Sequence, residues 1–412
     1  MSLTTQASAF RVERRLAIEG CQNSGLDPVR PASRFDIHLE RNLDAFLDRL
    51  DSCKELAATA FQTPAWLKAW YRTLGTSLGD PLLVTVVDQK TRALVVALPL
   101  ICRSEGSLRL IEFADYGVSD YNGPILGRCA PTQVGDARLL WRAIGSSLPR
   151  ADLVRFTKMP IHVEYRPNPF AMLPRVHPST LNGNVVRIDS GWPVYLQSLE
   201  RTFRKELGRS WRVFEKNQGA DFKCFTRPAE AAHMLGELER QQLTRMRKRG
   251  ANYALDQPLL ADFYRDLIST GVEDGSVVLT ALTCGEELVS ALFGVTEGRS
   301  YVMVRIASGT DKWSNCSPGR LIIVKTMEML HARGFREFDF SIGNYPYKRR
   351  LGVQPRPLCD LLIARSLRGA QAVALDNLKR GFRNTVFGRL LGPRKRPGTS
   401  DNSEPFSGTG ES

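Results

Sequence analysis

The chain has 412 residues, 42% of them hydrophobic and 24% charged, a soluble globular balance in a chain long enough to form two domains. Its longest apolar run, ALVVALPLIC (93–102), is strand-sized, well short of the roughly 20 residues of a membrane helix. The eight cysteines and five histidines form no C-x-x-C or H-x-x-x-H pair, which argues against a zinc site and a disulfide scaffold, and the net charge of +14 calls for an anionic partner.

Residues 1–33 are polar, read as disordered, and lack the apolar stretch of a signal peptide, so a cytoplasmic location is expected. In the first half (34–180), the spacing of Leu43, Phe46, Leu47 and Leu50 predicts a helix over 41–56. A second helix opens with Thr63 as cap and Pro64 at its first position. Strands are expected at 82–88, 93–102 and 108–114. A helix around 139–144 and a strand at 151–157 follow.

In the second half (181–366), Phe203, Leu207, Trp211 and Phe214 recur at helical spacing in a strongly basic helix over 199–216. A strand at 221–227 precedes helices at 228–250 and 258–271, and strands at 276–283, 287–296 and 299–307. A loop reaches Ser317 and Pro318, a helix runs over 321–334, and FREFDF (335–340) is a strand. Both halves thus read helix, helix, three-strand meander, loop with proline, helix, strand, which implies two α+β domains in tandem. Residues 367–397 form a basic amphipathic segment, either packed on the body or resting on anionic lipid. Residues 398–412 are expected to be disordered.

This order, together with FQTPAWLKAWY (61–71), ADYGVSDYNGPIL (114–126), LQSLERTFRKELGRSWR (196–212), SPGRLI (317–322) and FDFSIGNYPYKRRLG (338–352), resembles the GNAT superfamily of acyltransferases. The tandem pair is similar to the FemAB-like transferases, and the motifs resemble the CelD/BcsL acetyltransferases associated with bacterial cellulose biosynthesis. The resemblance implies tandem GNAT-like domains with mixed, mostly antiparallel sheets flanked by helices. It also implies acyl-CoA (acetyl-CoA) as co-substrate, no metal, and a small or saccharide-linked amine as acceptor. Alternatives are aminoacyl transfer from tRNA and an inactive accessory role in polysaccharide production.

On that reading SPGRLI opens the coenzyme site. Ser317 caps, Pro318 begins the helix, Gly319 admits a ligand to the backbone, and the amides of the first turn face a diphosphate beside Arg320 and Lys312. The run KWSNCSPGR carries one glycine where the superfamily's Q/R-x-x-G-x-G/A carries two, and a plain capped helix start is the other reading. Backbone amides at Met303, Val304 and Arg305 would hold the thioester carbonyl where the strands splay, unless the strand is an ordinary central one and Arg305 pairs elsewhere.

Asn344, Tyr345, Tyr347 and Lys348 would then reach the reaction centre. A phenol returns a proton to the leaving thiolate, Lys348 neutralises a phosphate or oxyanion, and Asp339 takes a proton from the amine. Otherwise Asp339 and Lys348 simply pair. The basic helix, with Arg204, either solvates its charges or contacts phosphates. Asp115, Asp120 and Tyr121 of the first half either hold an acceptor at the cleft between the halves or cap their own loop. The sequence leaves the oligomeric state open.

Overall fold

The computed structural model describes residues 34–248, 250, 257–309 and 311–384. The expectations for 1–33, 398–412 and the end of the basic segment from 385 lie outside the described residues.

The first half opens with β1 (Phe35–Glu40), α1 (Leu43–Asp51) and α2 (Pro64–Trp70), extended by a π turn over Tyr71–Gly75 and by α3 (Thr76–Leu78). β2 (Asp80–Asp88), β3 (Leu94–Glu105) and β4 (Leu108–Phe113) form the meander, followed by β5 (Ile125–Leu126), α4 (Val134–Ser147) and β6 (Leu153–Pro160). A ribbon of β7 (His162–Val163) and β8 (Arg166–Pro167) leads to the long β9 (Val176–Arg187). In the second half, α5 (Trp192–Ser198), α6 (Arg201–Glu215), β10 (Ala220–Phe225), α7 (Pro228–Lys248) and α8 (Pro258–Gly271) come first. β11 (Val277–Cys284), β12 (Glu287–Glu297), β13 (Ser300–Ser308) and α9 (Pro318–Ala332) follow, then β14 (Glu337–Asp339), α10 (Pro346–Arg350), β15 (Gln354–Ala364) and α11 (Leu367–Asn384).

The duplicated order is present, with an edge strand, β1 or β10, ahead of the helices that precede each meander. One mixed sheet runs β1-β2-β3-β4-β6-β15-β9-β14-β13-β12-β11-β10, with β5 beside β3. Only β4/β6 and β13/β14 pair parallel in it. The last strand of the chain, β15, lies between β6 of the first half and β9, so the halves share one sheet. Position 180/181 falls inside β9.

Local chemistry explains several boundaries. The Asn42 side chain accepts from the amides of Asp44 and Ala45 and starts α1, which ends at Asp51, five residues before its expected end, where the apolar spacing stops. Pro64 opens α2 as expected. The Thr63 hydroxyl, however, donates to the Ala60 carbonyl at 3.0 Å and makes no cap bond. β1 and β9 were not expected from the sequence. FDIHLE is a short polar edge, and β9 contains Pro178, Asn182 and Gly183, which read as turn residues.

Helices cover both faces of the sheet. On one face, a single apolar cluster joins α1 and α2 to α7 and α8, with Trp66 edge-on to Phe263 at 5.0 Å between ring centres. On the other face, α4 covers a first-half cluster, while α9 and α6 cover a second-half cluster containing Phe203, Phe214, Tyr301 and Phe338. Among the described residues no helix is long and apolar enough to cross a membrane, and no group of side chains is arranged to hold a metal.

Candidate active site

β14 pairs with β13 over only three positions, Ser300–Glu337, Tyr301–Phe338 and Val302–Asp339. β13 continues to Ser308 against β12 alone, so the sheet opens beyond Val302. Within the opening, Met303 registers with Gly294 and Arg305 with Phe293, which leaves Val304 in a bulge with no register partner. The chain leaves β14 through left-handed conformations at Ser341 (φ 64°) and Gly343 (φ 93°), which turn it away from β13. The splay expected near Met303 to Arg305 is therefore present.

The bulge also shifts the alternation of β13. Arg305 turns to the face under α7, is 1% exposed, and donates to Glu239 at 3.0 Å and Gln242 at 2.6 Å, with its guanidinium over the Tyr264 ring. Its side chain is thus a buried anchor for α7 and not a group facing a coenzyme.

Asp339, the last residue of β14, is fully buried. It accepts from the Tyr121 hydroxyl at 2.8 Å, the Ser341 amide at 2.6 Å and Arg356 of β15 at 2.8 Å. Burial pushes its pKa up to about 6 against the pull of Arg356 and the two other donors. Tyr121 comes from the first half and passes over Gly183 of β9, where a Cβ would collide with its hydroxyl. Burial beside Asp339 holds the Tyr121 phenol well above its ordinary range.

Lys348 does not pair with Asp339. Its ammonium donates to the carbonyls of Phe340 (2.8 Å), Ile342 (2.7 Å) and Gly343 (2.9 Å), tying down the loop that leaves β14. Burial lowers its pKa to about 8 although Asp339 and Asp120 oppose the shift. The ammonium therefore faces the loop, not outward toward a phosphate or oxyanion. Asn184 of β9 secures the same loop from the other side through the Ser341 and Gly343 carbonyls. Tyr347 is buried and stacks on Tyr345 with ring centres 6.2 Å apart, next to Phe340. Burial raises the Tyr347 phenol pKa, so it keeps its proton at neutral pH. Asn344 donates to Asn182 at 3.0 Å on the surface.

At the start of α9, Pro318 and Gly319 are buried, but Ser317 sits in the left-handed region (φ 47°) and its side chain makes no cap bond. Its carbonyl instead accepts from the amides of Arg320 and Leu321. Arg320 pairs with Glu206 of α6 at 3.1 Å, and Arg350 of α10 holds the same carboxylate through two bonds of 2.9 and 3.0 Å. These arginines keep the Glu206 carboxyl below its usual range. Lys312 pairs with Glu287 at 2.6 Å. Arg204 donates to the Leu196 and Gln197 carbonyls at the end of α5.

The first-half loop closes largely on itself. Asp115 accepts from the Gly117 and Ser119 amides and pairs with Lys158 at 2.6 Å, so its carboxylate is satisfied inside the loop. Asp120 accepts from the Ser341 hydroxyl, and burial raises its pKa. Of the four residues Asp115, Asp120, Tyr121 and Arg204, only Tyr121 lines a cavity between the halves. That cavity, of about 210 Å³, also presents Glu164, Glu297, Ser300, Glu337 and Arg356. Arg356 pairs with Glu337 at 2.6 Å. Among the described residues no cation pairs with Glu164 or Glu297, and burial with the charge of Glu164 pushes Glu297 up to about 7.

Sequence reasoning missed Glu206, Glu297, Asn184 and Arg356. An arginine between two prolines, directly after the candidate loop, was the one available signal for Arg356. Glu297 opens the short turn between β12 and β13, and the sequence offers no signal that first-half residues, among them Ala58–Ala60 and Pro160–Glu164, line the cavity around it.

Residues 201–349 match the family model described as an acetyltransferase (GNAT) domain. No curated protein matches the sequence. Among solved structures, FemX is similar at a TM-score of 0.52 and 11% identity, over 77% of this chain and 94% of that one. The C-terminal domain (DUF2156) of a putative lysylphosphatidylglycerol synthetase from Agrobacterium fabrum matches at 0.45 and 13%, over 75% and 94%. A tandem GNAT protein from the clavulanic acid biosynthesis pathway matches at 0.45 and 14%, over 81% and 99%. Residues 201–349 are thus similar to a GNAT-type acetyltransferase domain, and the chain has an α+β GNAT fold, a mixed and mostly antiparallel sheet flanked by helices.

Proposed function

We propose that the protein is an acyltransferase that moves an acyl group from acyl-CoA to a primary amine. The observation that carries this reading is the opening between β13 and β14, with the unregistered backbone of Val304 inside it. Acyl-CoA would supply an activated carbonyl and depart as the thiol. The Val304 amide holds the carbonyl oxygen as charge builds on it. Tyr347, protonated at neutral pH, has the proton that a departing thiolate needs. Glu297 in the adjoining cavity receives the acceptor as its free amine and takes up the proton the amine sheds as the new C–N bond forms.

The first turn of α9 fits a diphosphate in charge, since Arg320 and Arg350 converge there. Both are held by Glu206, so an entering diphosphate replaces one carboxylate with two phosphates. Titration with acetyl-CoA and longer acyl-CoAs by calorimetry is expected to show binding. Glu206→Gln is expected to tighten it roughly two- to fivefold, the scale of a partly exposed ion pair. No heat with any acyl-CoA overturns the reading.

Glu297 gives the reaction a pH dependence. With its pKa near 7, kcat/KM for the amine falls as pH drops through 7, on top of the fall from protonation of the amine itself. The acid limb of the wild-type profile is expected to be one unit steeper than that of Glu297→Gln. Identical limbs remove Glu297 from the reaction.

A second reading, aminoacyl transfer from tRNA, draws on the groove of about 710 Å³ lined by Arg201, Arg204, Lys205, Arg209 and Arg212 of α6. Tight tRNA binding whose logarithm falls linearly with that of salt would favour it over a coenzyme donor. A saccharide-linked acceptor in polysaccharide production has its support in the resemblance of these motifs to the CelD/BcsL enzymes.

A further inference from the structure

α11 has two unlike sides. Its inner side is fixed to the body: Gly369 lies so close to the Asp152 carbonyl that a Cβ would collide, and Ser366 bonds the Asp152 side chain at 2.5 Å. Arg380 reaches Asp360 of β15 at 3.1 Å and Asp376 at 2.5 Å. The only acid of the helix, Asp376, is thereby turned inward and neutralised.

The outer side is apolar, and none of the described residues covers it. Leu367, Leu375 and Leu378 are 86%, 57% and 69% exposed. Spacings of eight and three residues place them within one side of the helix. Arg368 and Lys379 flank this stripe and are exposed. From Lys379 to Ser400 the sequence contains seven Lys or Arg and no Asp or Glu.

We infer that the outer side of α11 docks on an anionic lipid surface, with Leu367, Leu375 and Leu378 in the boundary between headgroups and acyl chains and Arg368 and Lys379 on the lipid phosphates. Charge complementarity selects this occupant. A leucine stripe bordered by cations, with its one acid turned away, suits a negatively charged interface. The inner side keeps its contacts with Asp152 and β15, so the helix holds the protein against the surface without leaving the fold.

The test is co-sedimentation of the full chain with vesicles of phosphatidylcholine alone and of equal parts phosphatidylcholine and phosphatidylglycerol. Binding is expected to the anionic vesicles only and to weaken with salt. The triple variant L367S/L375S/L378S is expected to bind at least about tenfold more weakly, from the loss of buried apolar area. R368Q/K379Q is expected to lose affinity for anionic vesicles at low salt while the leucines remain. Unchanged acyl-CoA binding in both variants shows that the site is intact, so the vesicle result stands apart from the proposed chemistry. Failure to sediment with anionic vesicles overturns the inference, as does undiminished binding by the leucine variant. A dimer seen by sedimentation velocity and dissolved by the leucine changes also overturns it, assigning the stripe to a second copy.

Discussion

Asp339→Ala is expected to lower folding stability by about 3–5 kcal/mol, read as a drop in the urea midpoint followed by tryptophan fluorescence. The carboxylate accepts three bonds in a fully buried position, and its removal strands the Tyr121 hydroxyl, the Ser341 amide and half of the Arg356 pairing. Because Tyr121 belongs to the first half and Arg356 to the strand inserted between halves, the loss loosens the seam as well as the end of β14. Asp339→Asn keeps the shape and one acceptor oxygen and should cost less. The pH dependence has a definite sign. Since the folded pKa is raised from 3.8 to about 6, the stability linked to protonation of Asp339 is fully present below about pH 4 and is lost as pH rises through 6, while its bonds to Tyr121, Ser341 and Arg356 persist. Asp339→Asn should remove that segment of slope from a plot of stability against pH. A small effect of Asp339→Ala would mean that Arg356 and Glu337 hold the seam alone.

Val304→Pro is expected to reduce turnover by roughly 10²–10³, the scale for removing one donor to a developing oxyanion. The substitution deletes the amide hydrogen assigned to the acyl carbonyl. Val304 lies in a bulge without a register partner, where proline is best tolerated in a sheet, so the urea midpoint should move little. Val304→Ala, which retains the amide, should remain close to wild type. Full turnover in the proline variant would show that the carbonyl is held elsewhere.

Much of the fold was legible because its signals are local. The spacing of Phe203, Leu207 and Phe214 marks α6, Pro258 and Pro318 mark helix starts, and short glycine-bearing turns separate β11, β12 and β13. The site was less legible. Lys348 and Lys312 carried charge toward an expected ligand in the sequence reading, yet each faces a partner within the protein, loop carbonyls and Glu287, and Arg305, assigned to the ligand only through its backbone, sends its side chain to α7. A one-residue bulge at Val304 is enough to send Arg305 to the opposite face of the sheet.

The sequence by itself determined the duplicated order of elements and the excess of positive charge, since periodicity, proline and composition act within a few residues of one another, whereas the splitting strand pair was implied only by the resemblance. Only the tertiary structure decided which charges meet. Asp339 and Tyr121 lie 218 residues apart in the chain and 2.8 Å apart in space. Electrostatic pairing depends on that second distance and on burial, neither of which local pattern contains.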